Sequence, residues 1–248
     1  MPTRALVAKV PLIHQEDFYC GPTSLAMVLQ WSGTEVTPAE IAAQAFSPRA
    51  KGTYLADMTG TARRRGQLAV EISTFSDLLT EIAAGHPVIV FQNLGLNWAP
   101  KWHYAVAVGY DLDQDLIVLH SGEMDRMVIP LTQFHHTWRR GGYWGLLVLP
   151  PNQLPATQDE WKIYRAAAAL EKIGRSSAAE TAYAKGATRW PKSWIWPFGI
   201  GNVRYRNGDL AGARRSFARA VALDPSIPEA RQNLAQVQRE LSGAARMN

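Results

Sequence analysis

The chain has 248 residues, 47% hydrophobic and 19% charged, which is enough apolar material for a packed core and excludes general disorder. No apolar run reaches the roughly 18 residues that a membrane-spanning helix needs. The net charge of +5 hides a division: residues 1–150 carry 11 Lys/Arg against 13 Asp/Glu, and residues 151–248 carry 15 against 8, so −2 is followed by +7. That asymmetry points to two units, the second with basic helix faces that are either solvated or turned to an acidic partner. A single cysteine, Cys20, excludes an intramolecular disulfide and argues against a cysteine-built metal site. Met1 to Val10 has no apolar signal-peptide core, which reads as cytosolic as the sequence stands and as cell-envelope if a targeting segment precedes it.

Taken in order, Cys20-Gly-Pro-Thr-Ser-Leu opens a helix in which Leu25, Val28 and Leu29 fall at helical spacing. Pro22 is tolerated in a first turn, so Cys20 sits at the helix N-terminus. Thr37-Pro-Ala-Glu40 is a capping box that starts a second helix through Ala45. Further helices are predicted over 53–65 and 75–84. Short β-branched runs then follow at Pro87–Gln92, His103–Tyr110 and Leu116–His120, the last two joined by the polar turn D-L-D-Q-D as a hairpin. Met127–Leu131 and Tyr143–Leu149 complete a predicted antiparallel sheet. Helices first and strands later define an α+β domain over residues 1–150. Pro150, Pro151 and Pro155 read as a linker.

From Gln158 the chain is alanine-rich and repeats with a period of 34. Gly174 matches Gly208, Ala179 matches Ala213, Tyr183 matches Phe217, and Pro191 matches Pro225. A small residue, an aromatic four later and a closing proline form the tetratricopeptide pattern. Residues 151–248 are therefore predicted to be all-α, with two repeats and an end helix over 227–241. These matched residues serve helix packing, and the assignment makes the tail a surface for a protein partner.

The chemistry-bearing residues lie in the first unit. A thiol at a helix N-terminus gains support for its thiolate from the free N–H groups and the dipole. His103 opens a strand far away in sequence, as a base reaching the thiol across a cleft would. Gln15 could donate to an oxyanion beside the Cys20 backbone N–H. Trp98 and Trp102 flank the histidine, either as a groove wall or as core. His120, His135 and His136 lack carboxylates at ligand spacing, so no metal or other cofactor is expected. Arg63–Arg65 reads as a solvated helix end. No Gly-rich phosphate loop is present, and no nucleic-acid partner is expected.

The blocks V-P-L-I-H-Q-E-D-F-Y-C-G-P-T-S-L-A-M-V-L, G-H-P-V-I-V and W-H-Y-A-V-A-V-G-Y-D resemble, in order and spacing, the double-glycine leader (bacteriocin-processing) peptidases and their non-transporter relatives. The resemblance spans roughly residues 8–150. It implies a papain-like fold, Cys20 as nucleophile, His103 as base, Gln15 in the oxyanion hole, and a peptide substrate with small residues before the cleaved bond. Two positions depart from the family. Gln15 stands five residues before Cys20 rather than six, where His14 sits. Ser121-Gly122 occupies the place of the family's Asp-Pro, so Ser121 is the candidate third member. The competing readings are a peptidase-like binding module without turnover and an adaptor that acts through its repeats.

Overall fold

In the computed structural model, residues 1–14, 18–122 and 124–247 are described, without the side chains of 124, 125 and 244–247. The chain divides into two units, residues 1–150 with 155–158, and residues 151–154 with 159–248.

The first unit runs β1 (Arg4–Leu6), α1 (Cys20–Trp31), α2 (Pro38–Ala45), β2 (Phe46–Ser47), β3 (Gly52–Thr53), α3 (Leu55–Arg64), β4 (Leu68–Ile72), α4 (Phe75–Ala83), β5 (Val88–Asn93), β6 (Trp102–Asp111), β7 (Leu116–Ser121), β8 (Met124–Pro130), α5 (Leu131–Arg140) and β9 (Gly145–Leu149). The large sheet is antiparallel, in the order β4-β9-β5-β6-β7-β8, with β1 added along the distal half of β6. Its central strands read as apolar runs because both faces are covered. Val88, Ile89, Val90 and residues 104–108 are all buried. The capping box forms as predicted: the Glu40 carboxylate accepts from the Thr37 N–H at 2.7 Å, and the Thr37 hydroxyl accepts from the Glu40 N–H at 3.3 Å.

Four expectations change. Helices do not simply precede strands: Leu68–Ile72 is a strand, because its L-A-V-E-I run pairs with β9, some eighty residues later. Leu131 begins α5 instead of ending a strand, and its helix buries Phe134 and Trp138. Tyr143, with φ +55, turns the chain, so the last strand starts only at Gly145. The proline-rich segment is not a free linker. The amides of Ala156 and Thr157 donate to the carboxylate of Glu81 at 3.0 and 2.9 Å, and that buried carboxylate also bonds the His86 ring at 2.7 Å.

The second unit is all helical: α6 (Glu160–Lys172), α7 (Ser176–Arg189), α8 (Ile195–Arg206), α9 (Leu210–Leu223) and α10 (Pro228–Met247). Its repeats lock by setting glycines against rings. A Cβ on Gly199 would meet the Tyr183 ring at 2.7 Å, and one on Gly201 would meet Phe217 at 2.5 Å. Tyr183 and Phe217 are fully buried, as the period of 34 requires. The Tyr183 hydroxyl donates to Glu171 at 2.6 Å, and Arg206 neutralises the same carboxylate.

Candidate active site

The site is built where α1 meets β6. Cys20 is the first residue of α1, and the N-cap residue Tyr19 makes no side-chain capping bond. The approach is held by Tyr19, whose ring stacks on Phe46 at 5.2 Å, and by Phe18 at φ +67. Gly21 permits close seating: a Cβ there would lie 2.9 Å from the Thr53 Cβ and Oγ1 and 3.3 Å from the Tyr104 ring. The Tyr104 hydroxyl in turn donates to the Thr53 carbonyl at 2.8 Å. The Cys20 thiol therefore lies against the backbone amide of Tyr104, with the amides of Gly21 and Cys20 also near it.

His103 precedes Tyr104 on β6, opposite Gln92 of β5. Its Nε2 lies 2.8 Å from the Ser121 hydroxyl oxygen. That contact depends on one irregularity. In the distal part of the β6–β7 hairpin, Gly109 opposes Val118; continued unbroken, that register would put Ser121 opposite Val106, on the face away from His103. A bulge at Val108 inserts one residue, so that Val106 opposes His120 and Ser121 falls on the face of His103.

The electrostatics differ from the expected activated thiolate. Burial pushes the Cys20 thiol above its ordinary value, and the lowering by the Tyr104, Gly21 and Cys20 amides does not offset it. The helix start was expected to depress this pKa; desolvation at the helix–sheet junction reverses the sign. Burial, with the positive charge of Lys101 nearby, lowers His103 to about 4. At neutral pH the pair is a thiol and a neutral imidazole.

Of the predicted site residues, Cys20, His103 and Ser121 come to one region, and Gln15 lies outside the described residues. Trp98 and Trp102 are not core; both are exposed. His135 bonds the Tyr143 hydroxyl at 2.9 Å and packs edge-on against Phe75, as part of α5 packing. Sequence reasoning missed Tyr104 and Thr53, which seat the thiol. Neither a strand tyrosine nor the threonine ending β3 is a residue type that announces such a role, and only their contacts identify them.

A cysteine opening a helix that packs on an antiparallel sheet, beside a strand that begins Trp102-His103, fits a papain-like α+β architecture. The sequence profile of the Peptidase_C39 like family matches residues 7–145, and that of the tetratricopeptide repeat matches residues 164–228 and 198–244. The chain belongs to the Peptidase_C39 like family and carries a tetratricopeptide region after its peptidase-type domain. Among solved structures it is similar to a C39-like peptidase from Bacillus anthracis, at 20% identity and TM-score 0.51, over 59% of this chain and 97% of that one. The peptidase domain of Streptococcus ComA, a bi-functional ABC transporter of a quorum-sensing pathway, aligns at 20% identity and TM-score 0.47, over 57% and 99%. A double glycine motif protease from an AMS/PCAT transporter, in complex with its leader peptide, aligns at 22% and 0.45, over 58% and 96%. No curated protein matches the chain.

Proposed function

We propose that residues 1–150 are a cysteine peptidase domain in which Cys20 is the nucleophile, His103 the general base and acid, and Ser121 the group that orients the ring. The observation that carries this reading is the 2.8 Å contact from His103 Nε2 to Ser121 Oγ. With Nε2 engaged there, Nδ1 is the nitrogen left to serve the thiol. Because the resting pair is neutral, the thiol proton passes to Nδ1 as Sγ bonds the peptide carbonyl carbon. The oxyanion is met by the Cys20 backbone N–H and, following the family resemblance, by the Gln15 side-chain amide. The imidazolium then returns its proton to the leaving amine. Water, deprotonated by His103, clears the thioester and restores the thiol. The substrate is a peptide with small residues before the cleaved bond, as in the leader-processing members the sequence resembles. Residues 151–248 form a separate repeat domain that recruits a protein partner or the substrate protein.

A second reading has its own support. Ser121 supplies no charge to hold an imidazolium, and burial disfavours the thiolate, which together fit a peptide-binding cleft with little turnover. Iodoacetamide and epoxide labelling of Cys20, followed by peptide mass mapping, tests the first reading. Labelling of Cys20 that falls in His103→Ala supports a base-assisted thiol. Equal labelling of wild type and His103→Ala rejects it and leaves the binding cleft.

A further inference from the structure

The loop joining β5 to β6 carries a surface that this chemistry does not use. Residues 94–101 read L-G-L-N-W-A-P-K, and no Asp or Glu occurs between Glu81 and Asp111. The loop is a tight hairpin. The Leu94 N–H donates to the Lys101 carbonyl at 2.8 Å, and Leu96 and Ala99 exchange backbone bonds at 3.2 and 3.1 Å, so Asn97 and Trp98 form a two-residue turn. Gly95 is needed there, because a Cβ would strike the Ala99 carbonyl. Buried Asn93 fixes the base: its Oδ1 accepts from the Gly95 and Lys101 amides, both at 2.9 Å, and its carbonyl accepts from Arg140 at 3.2 and 3.0 Å. Trp102 is held parallel on Phe91 at 5.1 Å.

On this stiff frame Leu94, Leu96, Trp98 and Trp102 are 44%, 55%, 83% and 53% exposed. Single exposed apolar side chains are ordinary, but four on one preorganised hairpin make a patch. Its form is a turn apex with an indole projecting outward. A peptide side chain is taken up by a concave site, whereas a projecting tip enters a medium. Tryptophan and leucine at the apex, Lys101 at the base and no carboxylate within residues 82–110 are the chemistry of an interfacial anchor on an anionic bilayer.

We propose that the 94–102 hairpin is a membrane-surface anchor, seating Leu96 and Trp98 in the headgroup region of an anionic bilayer with Lys101 against the lipid phosphates. The assignment is independent of catalysis. It brings the segment that carries His103 to the lipid surface, where membrane-associated peptides would be met.

Co-sedimentation of the full chain with vesicles tests this, using phosphatidylcholine with about one-third phosphatidylglycerol against phosphatidylcholine alone. The expected result is binding to the anionic vesicles that weakens with salt. The double variant Leu96→Ser/Trp98→Ser, with both changes on exposed positions, should lower the partition coefficient at least about tenfold. Lys101→Ala should lower it about fivefold on anionic vesicles only. An unchanged circular dichroism spectrum and Cys20 labelling rate show that the double variant is folded. Failure of the full chain to sediment with anionic vesicles overturns the proposal, as does a double variant that sediments like wild type. Tip-dependent capture of a peptide without vesicle binding also overturns it and assigns the tip to a polypeptide.

Discussion

Replacing Ser121 by Asp puts a charge where His103 now meets only a hydroxyl, 2.8 Å from Nε2. For charges about 4 Å apart at an effective dielectric of about 20, the Coulomb attraction is about 4 kcal/mol, equivalent to about 3 pKa units. The carboxylate's own desolvation and the partly open site take back some of this, leaving a rise of about 2 units. His103 would move from about 4 to roughly 6, and the imidazolium would in turn favour the Cys20 thiolate. The assay is the pH dependence of iodoacetamide labelling, with the His103 ring protons followed by NMR. In wild type the rate should climb through the alkaline range without a plateau between pH 5 and 8, because burial holds the thiol above its ordinary value. In Ser121→Asp a labelling shoulder should appear near neutral pH, at least about tenfold above wild type there, while Ser121→Ala should fall below wild type. If the His103 titration moves by less than about half a unit in Ser121→Asp, the carboxylate does not act on the ring. Ser121 would then not be the orienting residue.

Other outcomes follow from the packing. Burial by itself would raise the pKa of Glu81, but the hydrogen bonds from His86 and the Thr157 and Ala156 amides carry it below the ordinary glutamate value. Its contribution to stability is therefore complete above about pH 4.3 and is lost as pH falls through the lower folded value. Glu81→Gln should flatten this acid dependence and speed proteolysis within residues 155–158; acid unfolding curves that superimpose with wild type would count against the clamp. Phe217, fully buried with Gly201 beneath its ring, should cost about 3–5 kcal/mol when changed to Ala, read as a lower denaturation midpoint in the helical signal. A loss below about 1 kcal/mol would mean that the ring is not the keystone of that repeat.

Much of the architecture was legible because its signals are local. Thr37 and Glu40 cap a helix through their own side chains, so four residues suffice to read it. The β-branched runs of β5, β6 and β7 were placed within a residue or two, since each is a short apolar run whose central residues are largely buried, and a polar turn separates β6 from β7. The period of 34 located Tyr183 and Phe217 because a repeat must bury the same position each time. The helix start at Cys20 and the strand that begins beside His103 were likewise carried by residue type and pattern.

What the tertiary structure decided rests on non-local contacts. Leu68–Ile72 is a strand only because Gly145–Leu149 returns to pair with it, and the proline segment is anchored only because Glu81 is buried beneath it. No pattern in H-Y-A-V-A-V-G-Y announces a bulge at Val108, yet that one extra residue turns Ser121 to the face of His103. The helix start promised a stabilised thiolate through its own amides, whereas desolvation by the surrounding sheet raises the Cys20 pKa instead. Charge stabilisation by a helix end is a property of a few consecutive residues, but the burial that outweighs it belongs to the whole packed domain.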